Sequence, residues 1–184
     1  MPESTSVAHR PGRIDDRDAV LALLDAAVEW LVARGQTDQW GTEPWSSRPA
    51  AVERIGDLIQ EGDLWLAVGP AEAIVGAMIV NEAPMPYIEP AEERELYVRL
   101  LVSDPRHRGA NIGGSLLDRA KDIAHQRGIA LLRVDCFAGA DGSLVRYYES
   151  QGFRPVSPFA VKEWPGMLLA QRIPPTGAPA APAH

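Results

Sequence analysis

One stretch of this chain concentrates residues able to do chemistry: Leu100-Leu101-Val102-Ser103-Asp104-Pro105-Arg106-His107-Arg108-Gly109-Ala110-Asn111-Ile112-Gly113-Gly114-Ser115-Leu116-Leu117. It reads as an apolar strand, a basic turn containing glycine, and the start of an amphipathic helix. Such an arrangement makes an anion site. Amides at a helix N-terminus and in a turn point outward unpaired, glycine lets a ligand approach the backbone, and the helix dipole favours phosphate there. Arg106 and Arg108 add positive charge. The same features also describe an ordinary β–α connection with solvated arginines. Neither G-x-x-x-x-G-K-[ST] nor a G-x-G-x-x-G after a strand occurs anywhere, which removes the Walker-type and Rossmann readings.

Other candidates lie outside that stretch. Asp135, in Val134-Asp135-Cys136-Phe137, is a polar residue in an apolar run, and so either binds a substrate ammonium or is a satisfied structural carboxylate. Trp40 and Trp45 fall in a polar segment, Gln36 to Ser47, and with Trp164 can wall an acceptor pocket around a cation or simply pack in a core. Cys136 has no histidine beside it and reads as a small buried residue rather than a nucleophile. His9, His107, His125 and His184 are scattered without metal-ligand spacing, so no metal site is expected.

The elements that must position these residues follow from periodicity. Apolar residues at helical spacing predict helices over Ala19–Val32 and Pro49–Leu58, with Asp15 or Asp16 ahead of the first and Pro49 opening the second. Short β-prone runs come next at Leu64–Val68, Ala73–Val80 and Glu95–Val102, in an order that suggests a meander. Ile112 to Arg127 is a helix stopped by Gly128, Ala130 to Phe137 a strand, and Gly142 to Ser150 a helix ended by Gly152. Two late strands come around Val156–Val161 and Met167–Arg172. Two helices and two strands, then βαβαββ, point to an α/β fold with a mixed sheet.

Two motifs together carry a family resemblance. Arg106-His107-Arg108-Gly109-Ala110-Asn111-Ile112-Gly113 resembles the pyrophosphate loop [QR]-x-x-G-x-[GA] of the GCN5-related N-acetyltransferase (GNAT) superfamily. Asn111 departs from it at the last position, although Asn tolerates positive φ better than other non-glycine residues. Leu144-Val145-Arg146-Tyr147-Tyr148-Glu149-Ser150-Gln151-Gly152-Phe153 is similar to the family's "FYE-x-x-GF" helix ending. The resemblance covers roughly Ala8 to Ile173. It implies a mostly antiparallel mixed sheet of six to seven strands flanked by about four helices.

The activity implied is acetyl transfer from acetyl-CoA to a primary amine, by direct attack in a ternary complex. Pantetheine would hydrogen-bond to the backbone of Leu101 and Val102. The pyrophosphate would sit on the amides of Arg108, Gly109, Ala110, Asn111, Ile112 and Gly113, with Gly114 close by. Asp141 stands nearest to where the family often has a cofactor-contacting Asn. Tyr148 matches the tyrosine beside the CoA sulfur, where a phenol of pKa about 10 can protonate the departing thiolate. Glu95 lies at the offset of the glutamate base in the histone-acetyltransferase branch, with proton loss through ordered water as the rival and Glu92, Glu93 and Asp135 in reserve. Strand alternation would put Glu95, Tyr97, Arg99 and Leu101 on one face. The absence of an accessory reader domain favours a small-molecule amine over a protein. A non-catalytic acyl-CoA-binding module and a protein or peptide acetyltransferase are the alternatives. The family often dimerises through late strands or a sheet edge, so a homodimer is open.

Composition sets the frame. The 184 residues carry 25 acidic and 18 basic side chains, a net charge of −7, which argues against nucleic acid as a partner. That acidity suits a cationic substrate and equally serves solubility. A chain of this length buries roughly 70% of its unfolded surface and needs no staple, and its one cysteine offers none. No apolar run approaches the ~20 residues that span a bilayer, so no membrane partner is expected. Met1 to Ser6 lacks a secretory pattern, making the cytoplasm the expected compartment. The expected organisation is one domain over residues 1–173 and a disordered Pro/Ala-rich tail over 174–184.

Overall fold

The computed structural model describes residues 7–175. The tail beyond Pro175 lies outside the described residues. Seven strands, β1 (Ala8–Pro11), β2 (Asp63–Val68), β3 (Ile74–Asn81), β4 (Glu95–Ser103), β5 (Leu131–Phe137), β6 (Arg154–Val161) and β7 (Trp164–Arg172), form one sheet in the order β1-β2-β3-β4-β5-β7-β6. Four helices cover it: α1 (Arg17–Ala33), α2 (Pro49–Glu61), α3 (Ile112–Gln126) and α4 (Ser143–Ser150). Strands β2, β3 and β4 form the expected antiparallel meander. Among the described residues only β4 and β5 pair in parallel, and α3 supplies the crossover that a parallel pair requires.

The sheet divides two apolar layers. Leu24 of α1 and Ile55 of α2 pack with Leu66, Tyr97 and Val102 on one face, while Leu116 and Leu117 of α3 pack with Leu96, Leu132 and Tyr148 on the other. Gly76 of β3 makes close docking of α3 feasible, because a Cβ there would lie 2.6 Å from Ile112 Cγ2. At the start of α1, the Asp16 carboxylate accepts from the Arg13 amide and the Arg10 guanidinium, and makes no side-chain cap to the helix it precedes.

The meander is irregular at one functional point. Val80 pairs with Val98 and Ile79 with Leu100, so Arg99 is an extra residue in β4. A bulge bends its strand and reverses the facing of the residues beyond it. Leu96, Val98 and Leu101 therefore share the α3 face, and Tyr97, Leu100 and Val102 share the α1/α2 face. This corrects the simple alternation that grouped Leu101 with Glu95 and Tyr97. A second bulge, at Val156, interrupts β6, an edge strand that also carries Pro155 and Pro158.

Candidate functional site

Pairing between β4 and β5 stops after Val98 and Val134, although β4 runs on to Ser103 and β5 to Phe137. The two strands separate beyond the bulge, and a cavity of about 680 Å³ opens there, lined by consecutive residues of both, Val98 to Ser103 and Val134 to Phe137. Because it passes between strands, side chains from both faces of the sheet reach it.

On the α3/α4 face, Tyr148 lines the cavity, edge-on to Tyr147 at 5.4 Å and to Phe153 at 5.8 Å. Burial raises its phenol well above the ordinary 10, so it stays protonated and keeps a hydroxyl proton to donate. Cys136, on the same face, is pushed up to about 12 by burial and remains a thiol.

On the α1/α2 face stands Asp135. Tyr97 donates to its Oδ1 and Tyr87 to its Oδ2, the latter at 3.1 Å. Burial raises this carboxyl and the two phenols pull it back down. Around it lie Trp40, Trp45, Trp164 and Phe137, all in the cavity wall. The segment bearing Trp40 and Trp45 is anchored to α1 by Ser46, which donates its amide and hydroxyl to Asp25. It is tied to the far side by Trp164, whose indole N–H donates to the Gln39 carbonyl at 2.9 Å.

The basic turn lies at the cavity's other end. Asn111 adopts the left-handed conformation that its type tolerates, with φ 54°, and Gly109 has φ 88° with open space where a Cβ would point. The Asn111 side chain turns back against Gly114. Among the described residues, the amides of Asn111, Ile112, Gly113 and Gly114 find no backbone acceptor, as the first turn of a helix leaves them, and neither does that of Gly109 in the turn before. The Arg108 and Ala110 amides, expected to hold the pyrophosphate, instead donate to the Pro105 and His107 carbonyls. Gly113 lets the Tyr147 hydroxyl approach, since a Cβ would sit 2.5 Å from it. Arg108 and Arg34 both line the cavity and lie over the Trp30 ring, at 4.4 and 3.7 Å.

Several expected site residues stand elsewhere. Glu95 is 3% exposed and outside the cavity wall. Its carboxylate is held by the Arg133 guanidinium and by the Ala91 amide. It belongs to the end of β4 that is still paired with β5, away from the split, so its geometry does not suit a base. Arg106 folds back to chelate Asp104 and holds that carboxyl low, bracing the turn instead of facing the cavity. Asp141 is exposed, accepts the Ser143 amide, and orders the turn before α4, outside the cavity wall. Of the reserves, Glu93 pairs with Arg172 and Glu92 lines a separate space of about 430 Å³. Tyr87, Trp30, Arg34 and Arg54 reach the cavity without having been singled out from sequence. Tyr87 lies in an irregular segment, Trp30 and Arg54 are on α1 and α2, and Arg34 follows the last residue of α1. Among the described residues no group of His, Cys, Asp and Glu is placed to hold a metal, and no helix is long and apolar enough to cross a membrane.

Solved structures share this architecture. A GNAT-family acetyltransferase from Listeria monocytogenes superposes with TM-score 0.67 at 20% identity, over 90% of this chain and 94% of its own. The ribosomal-protein-S18-alanine N-acetyltransferase of Escherichia coli gives 0.64 at 14%, over 97% and 100%. A Salmonella typhimurium structure with its cofactor acetyl-CoA gives 0.64 at 15%, over 96% and 99%. At these identities the likeness is one of fold. No curated protein matches the chain in sequence. The model of the acetyltransferase (GNAT) family matches residues 29–153, and the chain belongs to that family, whose chemistry is acyl transfer from acetyl-CoA.

Proposed function

We propose that the protein transfers an acetyl group from acetyl-CoA to the primary amine of a small molecule. The observation that carries this reading is the split between β4 and β5, through which Tyr148 on one face and Asp135 on the other line a single cavity. Acetyl-CoA supplies a thioester carbonyl that an amine can attack. The residues present suit it. The unpaired amides of Gly109, Asn111, Ile112, Gly113 and Gly114 form a cradle for a diphosphate, the Asn111 side chain packs against Gly114, and the backbone of Leu101 and Val102 borders the split. Arg108 and Arg34 add positive charge at that end.

The chain's own groups then divide the work. An alkylammonium is no nucleophile, so a proton must leave it before a C–N bond can form. Asp135 is the carboxylate positioned to hold the ammonium and take that proton, with Tyr97 and Tyr87 fixing its orientation. Breaking the C–S bond releases a thiolate; the Tyr148 hydroxyl lines the split on that side and donates a hydrogen bond to it, and of the two protons the amine loses, one goes to Asp135 and the other balances the proton the thiol gains. Asp135 replaces Glu95 in the base role.

The bond from Trp164 to Gln39 ties the segment over the acceptor end to the β6–β7 hairpin, a roof that suits a compact amine better than a protein chain. A non-catalytic acyl-CoA-binding module is the second reading. Release of CoA thiol from acetyl-CoA across a panel of primary amines decides between them. Amine-dependent release supports transfer. A cofactor-induced thermal shift without release by any amine leaves the binding module.

A further inference from the structure

The charges on the cavity wall run against those of the chain. In a protein of net charge −7, the wall carries four arginines, Arg34, Arg54, Arg99 and Arg108, and one carboxylate, Asp135. Three of the four arginines are accounted for. Arg99 gives its guanidinium to Glu61 at 2.9 Å and to the carbonyls of Ala83 and Pro84. Arg34 and Arg108 share the Trp30 ring at the end where the phosphates of the donor are proposed to lie.

Arg54 remains. It is an exposed residue of α2 that lines the cavity, and among the described residues it makes no ion pair and no side-chain hydrogen bond. Its charge acts on Tyr87, whose hydroxyl is bonded to Asp135. Tyr87 is itself fixed by stacking on Phe159 at 5.6 Å. The wall of the acceptor end thus carries a half-buried anion bonded to Tyr87 and an exposed cation without a protein partner, together with aromatic side chains.

A simple amine would satisfy Asp135 and leave Arg54 without a partner. A polyamine would bring a second cation toward Arg54, where like charges repel. A peptide N-terminus carries an uncharged amide where a carboxylate would be needed. The complementary ligand has both charges. We infer that the acceptor is a free amino carboxylic acid with an apolar or aromatic side chain, its amine on Asp135, its carboxylate on Arg54, and its side chain against Trp40, Trp45 and Trp164. The inference rests on the acetyl-transfer reading and narrows it to one substrate class.

The test compares matched pairs in the CoA-release assay: phenylalanine against phenethylamine, tryptophan against tryptamine, and a tripeptide beginning with phenylalanine. In the wild-type protein kcat/KM for each amino acid should exceed that for its decarboxylated partner and for the tripeptide by about 10- to 100-fold, the worth of one charge-assisted contact. In Arg54→Gln that ratio should collapse toward one through KM, and Arg54→Lys should restore part of it. Decarboxylated amines or the tripeptide turning over as well as the amino acids, or an unchanged ratio in Arg54→Gln, would overturn the inference while leaving acetyl transfer intact. If no amine releases CoA although acetyl-CoA shifts the melting temperature, the transfer reading fails. Calorimetric binding of phenylalanine to the wild type but not to Arg54→Gln then still supports the carboxylate site, and equal binding to both overturns it.

Discussion

Tyr97 on β4 donates to Asp135 on β5, two residues beyond its register partner Arg133, and Glu95 reaches Arg133 by the same diagonal step from Leu131. The first contact stands at the split between the strands and the second where they are still paired. Two acid-centred contacts of equivalent register are thereby given different roles, one at a cavity and one in the core.

The pH response should follow Asp135. Its ionised form accepts from Tyr97, so Tyr97→Phe removes a contact that lowers a carboxyl already raised by burial. The acidic limb of the kcat/KM profile should then move to higher pH. The stability sign is opposite to that of an ion-paired acid. As pH rises from the unfolded value of 3.8 through the raised folded value, the folded protein keeps a proton the unfolded chain has lost, and stability declines. Asp135→Asn should therefore melt at or above the wild-type temperature at neutral pH while turnover falls about 100-fold. A lower melting temperature with normal turnover would make the carboxylate structural.

Tyr148→Phe keeps the ring and its edge-on contacts with Tyr147 and Phe153 and removes only the donor. Turnover should drop about 100-fold, with the dissociation constant for CoA, measured by calorimetry, nearly unchanged. Loss of both would mark the hydroxyl as a packing requirement.

Glu95→Gln leaves the Arg133 charge buried without its counter-ion, and denaturant unfolding should register a loss of about 3–5 kcal/mol. Replacing both, as Glu95→Gln with Arg133→Met, should recover much of it. Turnover per folded molecule should hold. A collapse of kcat at unchanged stability would return Glu95 to the base role.

Asn111 occupies a left-handed position, where a Cβ without a compensating polar group costs about 1 kcal/mol or more. Asn111→Ala should lower the melting temperature and weaken CoA binding, whereas Asn111→Gly should bind CoA at least as well as the wild type. Titration of each variant with CoA reads both effects.

Trp164→Phe keeps an aromatic wall and deletes the indole donor to Gln39, a bond worth about 1 kcal/mol. Limited proteolysis between Gly35 and Ser47 should accelerate, and KM for the acceptor should rise while CoA affinity stays the same.

Local signals carried much of this molecule. The 3.6-residue pattern of α3, its glycine turn and the tolerance of Asn111 for positive φ are properties of neighbouring residues, and they are readable in order along the chain. Strand β1 is not, because Ala8-His9-Arg10-Pro11 has no apolar alternation and exists through pairing with β2. Glu95 misleads for a related reason. A strand-start glutamate reads as solvated or catalytic until parallel register brings Arg133 onto it from 38 residues away. The bulge at Arg99 leaves no mark in the sequence, so simple alternation misplaces the facing of Leu101. Tyr87 and Arg54 reach the cavity through tertiary placement alone.

The edge strand β6 bears on assembly. Its bulge at Val156 inserts one residue between Pro155 and Pro158, which brings these two, three apart in sequence, into the same phase of the strand. Neither has an N–H to give, and a paired interior strand would not tolerate them. An approaching copy of the chain would meet two missing donors in a row along an otherwise exposed margin. Growth of the sheet across that boundary is discouraged, so self-association there would have to rely on side chains such as Val156 and Val161 rather than on a continued ladder.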